Sequence, residues 1–197
     1  PSYTYVPDDN FEQALIDLGY DDVLDDYVLT ANISGVTNLY IADEEIVDMT
    51  GIEDFTSLTN LDLPNNQITS IDVSNNTALT ELGIGGNELT ILDVSANTAL
   101  TNLGVEGNSL PSLDISNNTA LTTLWCQNNQ LTSLDVSSNT GLTYLDCMNN
   151  SLTSLDVSEN TALTHLECHQ NQLTSLDVSS NTALIELRCE ENQLTSL

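Results

Sequence analysis

The sequence predicts a solenoid, in which short coils of chain stack into one elongated core. The chain repeats every 21 residues from Leu58 onward, and seven units, the last incomplete, span 58–197. Within each unit, apolar side chains alternate with others, as at Leu124 and Cys126, which is typical of a short half-buried strand. A unit of this length has no room for a long helix. Because one coil cannot bury its apolar side chains alone, the coils must stack on one another.

Two columns of asparagine mark the places where each coil is predicted to turn. A buried amide can pair with backbone groups that a sharp turn leaves without partners, so these residues are predicted to be structural. The first column is Asn66, Asn87, Asn108, Asn129, Asn150, Asn171 and Asn192, and the second is Asn76, Asn97, Asn118, Asn139, Asn160 and Asn181.

The repeating unit L-x-x-L-x-C-x-x-N-x-L resembles the leucine-rich-repeat consensus. Its L-x-C and N-T-A-L-T variants are similar to those of secreted and surface-displayed bacterial proteins of the internalin type. The resemblance covers about residues 36–197. It implies a right-handed superhelix, of the class usually called α/β but rich in strands and loops here, with a concave sheet that binds partners, usually proteins. It implies no catalytic chemistry.

The N-terminal residues 1–35 do not repeat and are predicted to form a small helical cap over the first coil. Residues 36–57 are predicted to form a degenerate first repeat, because their apolar pattern is present but irregular. In the cap, an aspartate after Pro7 is expected to begin a helix, one face of that helix is apolar, and a glycine is expected to end it. The residues concerned are Asp8, Asp9, Phe11, Ala14, Leu15, Leu18 and Gly19.

The charge balance restricts the partners. The chain has 30 acidic residues and one basic residue, Arg188, for a net charge of -29. Nucleic acid is excluded, since its binding depends on Lys and Arg, whereas cationic partners and divalent ions are favoured. No apolar run is long enough to span a bilayer, so we expect no membrane insertion. We expect a secreted or cell-surface monomer whose signal peptide has already been removed before Pro1.

Four cysteines, Cys126, Cys147, Cys168 and Cys189, recur at the inward strand position. Side chains on adjacent parallel strands point the same way and rarely meet the dihedral angles of a disulfide. Earlier repeats place Leu63, Ile84 and Val105 in the same column. The column is therefore predicted to contain buried free thiols.

A column of outward aspartates occupies the L-D-V segment on the back of each coil. Stacked carboxylates would repel one another by about 0.8 kcal/mol per step even in water. Hydrogen bonds from flanking serines, such as Ser133 and Ser137, are one way to relieve this repulsion, and bound Ca²⁺ is the other. The calcium candidates are Asp114, Asp135 and Asp156 in this column, and Asp21, Asp22, Asp25 and Asp26 in the cap.

The two faces of the predicted coil differ. The back repeats nearly the same S-x-D-x-S, whereas the outward positions of the front strand vary, which permits recognition. The only Trp is there, and Gly83 and Gly104 leave space on its N-terminal side. The candidate partner-binding residues are Trp125, Tyr144, Asp146, Met148, His165, Glu167, His169 and Arg188.

These residue types are typical of binding hot spots. We therefore expect an extracellular recognition or adhesion module that binds a protein through this front face. The alternatives are a carbohydrate-binding module, with Trp125 and Tyr144 stacking on sugar rings, and a passive spacer in a larger surface protein. No catalytic constellation is visible, so we expect no enzyme activity and no required cofactor.

Overall fold

A computed structural model describes residues 1–195, so the final two positions of the predicted last repeat lie outside the described residues. The N-terminal part contains β1 (Tyr3–Tyr5), α1 (Asp9–Asp17), β2 (Tyr27–Leu29) and the short α2 (Thr30–Ile33). β1 and β2 pair antiparallel. No helix within residues 1–195 has the length and apolar character needed to cross a membrane.

The remainder is one parallel sheet with a single strand from each coil. We call it the front sheet, and its strands follow one another in chain order. It consists of β3 (Asn38–Tyr40), β4 (Asn60–Asp62), β5 (Glu81–Gly83), β6 (Asn102–Gly104), β7 (Thr123–Trp125), β8 (Tyr144–Asp146), β9 (His165–Glu167) and β10 (Glu186–Arg188). A 3₁₀ turn at Ile52–Asp54 lies between β3 and β4. The solenoid and its helical N-terminal cap are thus as predicted.

The 21-residue period sets the register of the front sheet. Leu82 pairs with Leu103, and Leu103 pairs with Leu124, so each central leucine stacks on its equivalent in the next coil. Only the step from Leu39 to Leu61 is one residue longer, which agrees with the irregular pattern of this segment. Among the described residues, the back of the coils contributes only an isolated bridge, between Asp48 and Ser70.

One continuous apolar core runs through the coils. The cysteine column lies inside it: Cys126, Cys147 and Cys168 are buried, and all four cysteines are free thiols, as predicted. Cys189, in the last described coil, is half-buried. Burial raises the pKa of the Cys126 and Cys147 thiols far above their usual range and that of Cys168 to about 12. Since the thiolate is the reactive form, these three cysteines act as packing groups.

Both asparagine columns join one coil to the next by hydrogen bonds. In the first, Asn108 accepts a bond from the Leu89 amide at 2.9 Å and donates to the Ile84 and Val105 carbonyls at 2.9 and 3.0 Å. In the second, Asn118 donates to the carbonyls of Val94 and Asn97, both at 2.9 Å. The amide oxygens of this second column have no hydrogen-bond partner. Buried amides therefore satisfy the backbone at both turns, as the sequence predicted.

Left-handed backbone recurs just before the first asparagine column. Glycine fills this position at Gly86 and Gly107, and asparagine fills it at Asn128 and Asn149, both of which tolerate positive φ well. Gln170 adopts the same conformation, with φ 55°, without that tolerance. Glu191, one repeat later, does the same with φ 54°, so the last two described repeats carry backbone strain that the repeats from Asn65 to Asn149 avoid.

We expect Gln170→Gly to raise the free energy of unfolding by about 0.5 kcal/mol, because glycine removes the left-handed strain. The measurement is urea denaturation followed by circular dichroism. The control is Gln172→Gly, two residues later, where φ is not positive and glycine is expected to cost about 0.5–1 kcal/mol. A loss of stability in both variants would contradict the strain at residue 170.

Two carboxylates order the N-terminal cap, and one of them also attaches it to the first coil. Asp8 accepts hydrogen bonds from the Asn10 and Phe11 amides at the start of α1, while its other oxygen accepts from Val47 and Asp48 in the first coil. Asp8, rather than Asp9, is thus the helix cap. The wholly buried Glu12 accepts bonds from the amides of Asp25, Asp26 and Tyr27, which fixes the loop before β2.

The apolar face of α1 is shorter than predicted. Phe11, Ala14 and Leu15 are buried, but the prediction for Leu18 is wrong, since 47% of it is exposed. The helix ends at Asp17, and Gly19 turns the chain with φ 80°. Leu18 therefore leaves the helical face before it can reach the core.

Candidate functional site

The front sheet carries a row of three aromatic rings, which we call the aromatic row: Trp125, Tyr144 and His165. They lie on the adjacent strands β7, β8 and β9. The ring centroids of Trp125 and Tyr144 are 5.9 Å apart, and those of Tyr144 and His165 are 5.8 Å apart. All three side chains are half-buried. The register places Tyr144 directly beside His165, whereas Trp125, whose register partner is Asp146, meets Tyr144 diagonally.

A polar network adjoins the aromatic row. The Tyr144 hydroxyl donates a hydrogen bond to Glu167 at 3.0 Å. Burial, together with this bond, raises the pKa of Tyr144 to about 12, so the hydroxyl stays protonated. Arg188 donates to Glu186 at 2.7 Å and lies 3.8 Å from Glu167. The only basic side chain of the sequence is thus already held by carboxylates of the front sheet.

Three further candidates lie beside the row at different depths. Met148 and His169 are half-buried, and Nδ1 of His169 is shielded from solvent without a hydrogen-bond partner. Asp146 is only 6% exposed, so it is far less accessible than its outward place on the strand predicts. Burial raises the pKa of Asp146, and Glu167 adds to this effect, whereas the hydrogen bond from the Met148 amide opposes it. Asp146 therefore contributes negative potential more than contact surface.

We expect Asp146→Asn to be more stable than the wild type at pH 7, because it removes a buried charge and can still accept the Met148 hydrogen bond. Since the folded pKa is raised, the wild type gains stability as the pH falls through that pKa, and the gain is complete below the usual value near 3.8. The advantage of the variant should therefore shrink in acid. The measurement is thermal unfolding between pH 7 and pH 3.

Asp93→Asn is the contrasting control. Asp93 is exposed, and hydrogen bonds from the hydroxyl and amide of Ser95 lower its pKa. Its contribution is present above the usual pKa and is lost as the pH falls through the lowered value. Asp93→Asn should therefore be less stable than the wild type at pH 7. An Asp146→Asn protein that is also less stable at pH 7 would contradict the assigned cost of burying Asp146.

A depression lies on the N-terminal side of Trp125, and we call it the glycine groove. Its volume is about 480 Å³. The strand register aligns Asp62, Gly83, Gly104 and Trp125 across four neighbouring strands. Two residues without side chains thus form the floor between a carboxylate and an indole, in the space that the sequence predicted.

Acidic side chains bend over this floor. The Asp62 carboxylate lies where a Cβ of Gly83 would be, and the Glu106 carboxylate lies where a Cβ of Gly85 would be. Burial raises the pKa of Asp62, and the negative charge of Glu81 raises it further. Oε2 of Glu106 and Oε1 of Gln127 are both shielded from solvent and have no hydrogen-bond partner.

These groove residues were not among the sequence-based candidates. Asp62, Glu106 and Gln127 are ordinary polar residues at variable positions, and an acidic chain offers many of them. The available signal was the glycine at three outward positions, 83, 85 and 104, because a missing side chain in a front strand makes room for a neighbour's side chain. Gly83 and Gly104 indicated the space but not the carboxylates that fill its sides.

The aspartate column on the back relieves its repulsion within each coil. The Ser137 amide donates to Asp135 at 2.9 Å, and the same bond recurs at Asp72, Asp93, Asp114, Asp156 and Asp177. Hydrogen bonds from the hydroxyl and amide of Ser137 lower the pKa of Asp135. Of the two flanking serines, Ser137 donates to the aspartate. Within residues 1–195, Ser133 makes no bond to it, so that part of the prediction is wrong.

Calcium is not supported at the candidate aspartates. In the described part of the chain, no group of three or more His, Cys, Asp or Glu side chains is placed to hold a metal ion. Asp114, Asp135 and Asp156 are each bonded to their own serine. In the cap, Asp25 bonds the Tyr27 amide, while Oδ2 of Asp21 is buried without a partner beside Asp22 and Asp25.

Known leucine-rich-repeat proteins share both the repeat and the fold. The family model described as leucine-rich repeats (two copies) matches residues 119–160, and the LVIVD repeat model matches residues 82–105. No curated protein matches the chain. Among solved structures, the functional domain of InlJ from Listeria monocytogenes, which includes a cysteine ladder, is 37% identical with a TM-score of 0.77. That match covers 100% of this chain and 49% of the InlJ structure, so the chain spans about half its length.

Two further structures extend the comparison. Internalin C2 from Listeria monocytogenes is 24% identical with a TM-score of 0.89, covering 97% of this chain and 87% of that one. The ectodomain of the Arabidopsis thaliana receptor kinase GASSHO1/SCHENGEN3 is 26% identical with a TM-score of 0.70, and the match covers 81% of this chain and 20% of that one. The chain is therefore an internalin-like leucine-rich-repeat solenoid. This fold commonly mediates protein–protein interaction.

Proposed function

We propose that the chain is an extracellular recognition module that binds a protein partner through the front sheet. The observation that carries the proposal is the aromatic row, which gathers Trp125, Tyr144 and His165 on three adjacent strands of an otherwise repetitive molecule. Half-buried aromatic side chains with polar neighbours are typical of the centres of protein interfaces.

The neighbouring residues support the same interpretation. Met148 and His169 extend the aromatic row on one side, and Arg188, Glu167 and Asp146 surround it with charge. The GASSHO1/SCHENGEN3 ectodomain was solved in complex with CASPARIAN STRIP INTEGRITY FACTOR 2, so a leucine-rich-repeat ectodomain can hold a separate partner. The internalin-like relatives favour a secreted or surface-attached bacterial protein. We propose that it acts as a monomer without enzymatic activity or a required cofactor.

The test compares the retention of labelled proteins on intact cells and on cell-surface extracts. We expect Trp125→Ala to lose at least about tenfold in affinity, as hot-spot truncations do. The control is Ile91→Ala, which truncates a 69% exposed apolar side chain away from the aromatic row. Equal retention of wild type and Trp125→Ala would contradict the proposal and favour a passive spacer.

The carbohydrate alternative rests on the same rings and is separated by treating the target surface. If a protein is the partner, protease digestion of the target abolishes retention and glycosidase digestion leaves it. The reverse result would assign the aromatic row to a sugar. Retention is measured once with Ca²⁺ and once with chelator, and it is expected to be the same in both.

A further inference from the structure

The glycine groove presents hydrogen-bond acceptors to any ligand that enters it. Asp62, Glu81, Glu106 and Gln127 all line it. One of the two donors of the Asn60 amide group is already engaged, since it bonds Glu81 at 2.7 Å. Two acceptor oxygens, on Glu106 and Gln127, have no partner and are shielded from solvent, so a ligand reaches them when the side chains of the groove shift. A ligand with many donors and no acceptor fits this lining best.

The groove also has no positive charge of its own. The sequence contains one basic residue, and Arg188 lies four strands from Gly104, paired with Glu186 and Glu167. The pKa of Asp62 is raised because burial and the charge of Glu81 disfavour its carboxylate. A bound cation would reverse that penalty, since an opposite charge in contact favours the ionised form.

An aromatic wall and a carboxylate converge on the same point of the floor. A Cβ on Gly104 would lie 3.1 Å from Oε2 of Glu106 and 3.8 Å from the Trp125 ring. A planar cation above Gly104 would therefore touch the indole while it pairs with the carboxylate. Ion pairing and cation–π contact at one position distinguish a guanidinium from a sugar hydroxyl.

We propose that the glycine groove binds an arginine side chain of the partner protein. Guanidinium carries five N–H donors in a plane and no acceptor, which suits a cleft lined by carboxylates, an amide oxygen and an indole. The front sheet already holds one guanidinium in a similar way, since Arg188 bonds one carboxylate on its own strand and approaches another on the next strand. The inference rests on the proposed function, because it assigns one partner chemistry to one end of the front sheet.

The test titrates the full chain with the capped tripeptide acetyl-Gly-Arg-Gly-amide. The matched probes carry lysine, with equal charge but fewer donors, or citrulline, which is nearly isosteric but neutral. The readout is the fluorescence and the indole N–H resonance of Trp125, the only tryptophan in the sequence. We expect saturable binding of the arginine probe with a dissociation constant on the order of 1 mM, several-fold weaker binding of the lysine probe, and none of the citrulline probe.

Two variants with matched controls locate the binding. Glu106→Gln should lower the affinity for the arginine probe at least about tenfold, because it removes the ion pair. Glu159→Gln makes the same charge change on the exposed back and should change that affinity less than about twofold. Gly104→Ala should also weaken it by filling the floor. Gly141→Ala should not, since its Cβ would meet nothing closer than 3.6 Å. Asp62→Asn serves as a second variant that removes a carboxylate from the groove. Circular dichroism confirms that each variant is folded.

Equal binding of the citrulline and arginine probes would overturn the proposal. So would an equal loss in Glu159→Gln and Glu106→Gln, which would mean that only the overall charge matters. The outcome is separable from the proposed function. If cell-surface retention depends on Trp125 but the arginine probe does not bind, only the arginine groove fails. If the probe binds at Glu106 but retention does not depend on Trp125, only the recognition role of the front sheet fails.

Discussion

Replacing Asn108 with alanine is expected to lower the free energy of unfolding by about 3 kcal/mol, because three hydrogen bonds to buried backbone groups are lost and one of those groups is left without a partner. The Leu89 amide loses its acceptor, and the Ile84 and Val105 carbonyls each lose one of two amide donors, the other belonging to the neighbouring asparagine of the column. Asn108 is only 8% exposed, so water does not reach these groups freely. The measurement is urea denaturation followed by circular dichroism.

Asn117→Ala is the control for this substitution. Asn117 is exposed and makes one long contact, 3.4 Å, with the Ser95 carbonyl. Its loss should cost less than about 0.5 kcal/mol. Similar costs for the two variants would mean that the asparagine column does not hold the coils together, and the account of the turns would be wrong.

The second large effect is expected at Leu124. This side chain is completely buried, and its strand neighbours are Leu103 and Leu145 in the coils on either side. Leu124→Ala removes apolar contact with both coils and leaves a cavity that the rigid stack cannot close. We expect a loss of about 3 kcal/mol.

Ile91→Ala is the matched truncation for Leu124, since it removes an apolar side chain that is 69% exposed. It should change stability by less than about 0.5 kcal/mol. Each coil of a solenoid contacts only its neighbours. In the Leu124 variant, the backbone amides of the coils next to residue 124 should therefore lose protection from hydrogen exchange before those of distant coils. Uniform exchange along the whole chain would contradict that nearest-neighbour account.

Periodicity explains why so much of the fold could be predicted. A strict 21-residue repeat allows one register in which every inward leucine meets its equivalent, and the structure adopts that register from Leu61 to Leu187. Asn108 and Asn118 could be assigned to turns for the same reason. The error at Leu18 arose where no repeat applies, because the helix ends one residue before it.

The candidate site was only partly predictable, because its residues do not repeat. Trp125, Tyr144 and His165 stood out in the sequence as unusual side chains at outward positions of three successive strands. The register places Tyr144 beside His165 and puts Trp125 diagonally across from Tyr144, so the rings lie close together. The depth of Asp146 depends on how its neighbours fold over it, which no pattern encodes. The same holds for Glu106, whose carboxylate lies over Gly104 in its own coil and over Gly85 in the preceding coil.

The central claim is that the front sheet, and not the back, is the recognition surface. Thr123 and Ser133 offer a direct comparison, because they lie on the front and back of the same coil. Thr123→Arg and Ser133→Arg introduce the same bulk and the same charge on opposite faces, and retention of both on a cell-surface extract is measured at one ionic strength. The account predicts that Thr123→Arg abolishes retention while Ser133→Arg keeps it within about twofold of wild type. Retention that survives Thr123→Arg and is lost in Ser133→Arg would contradict it.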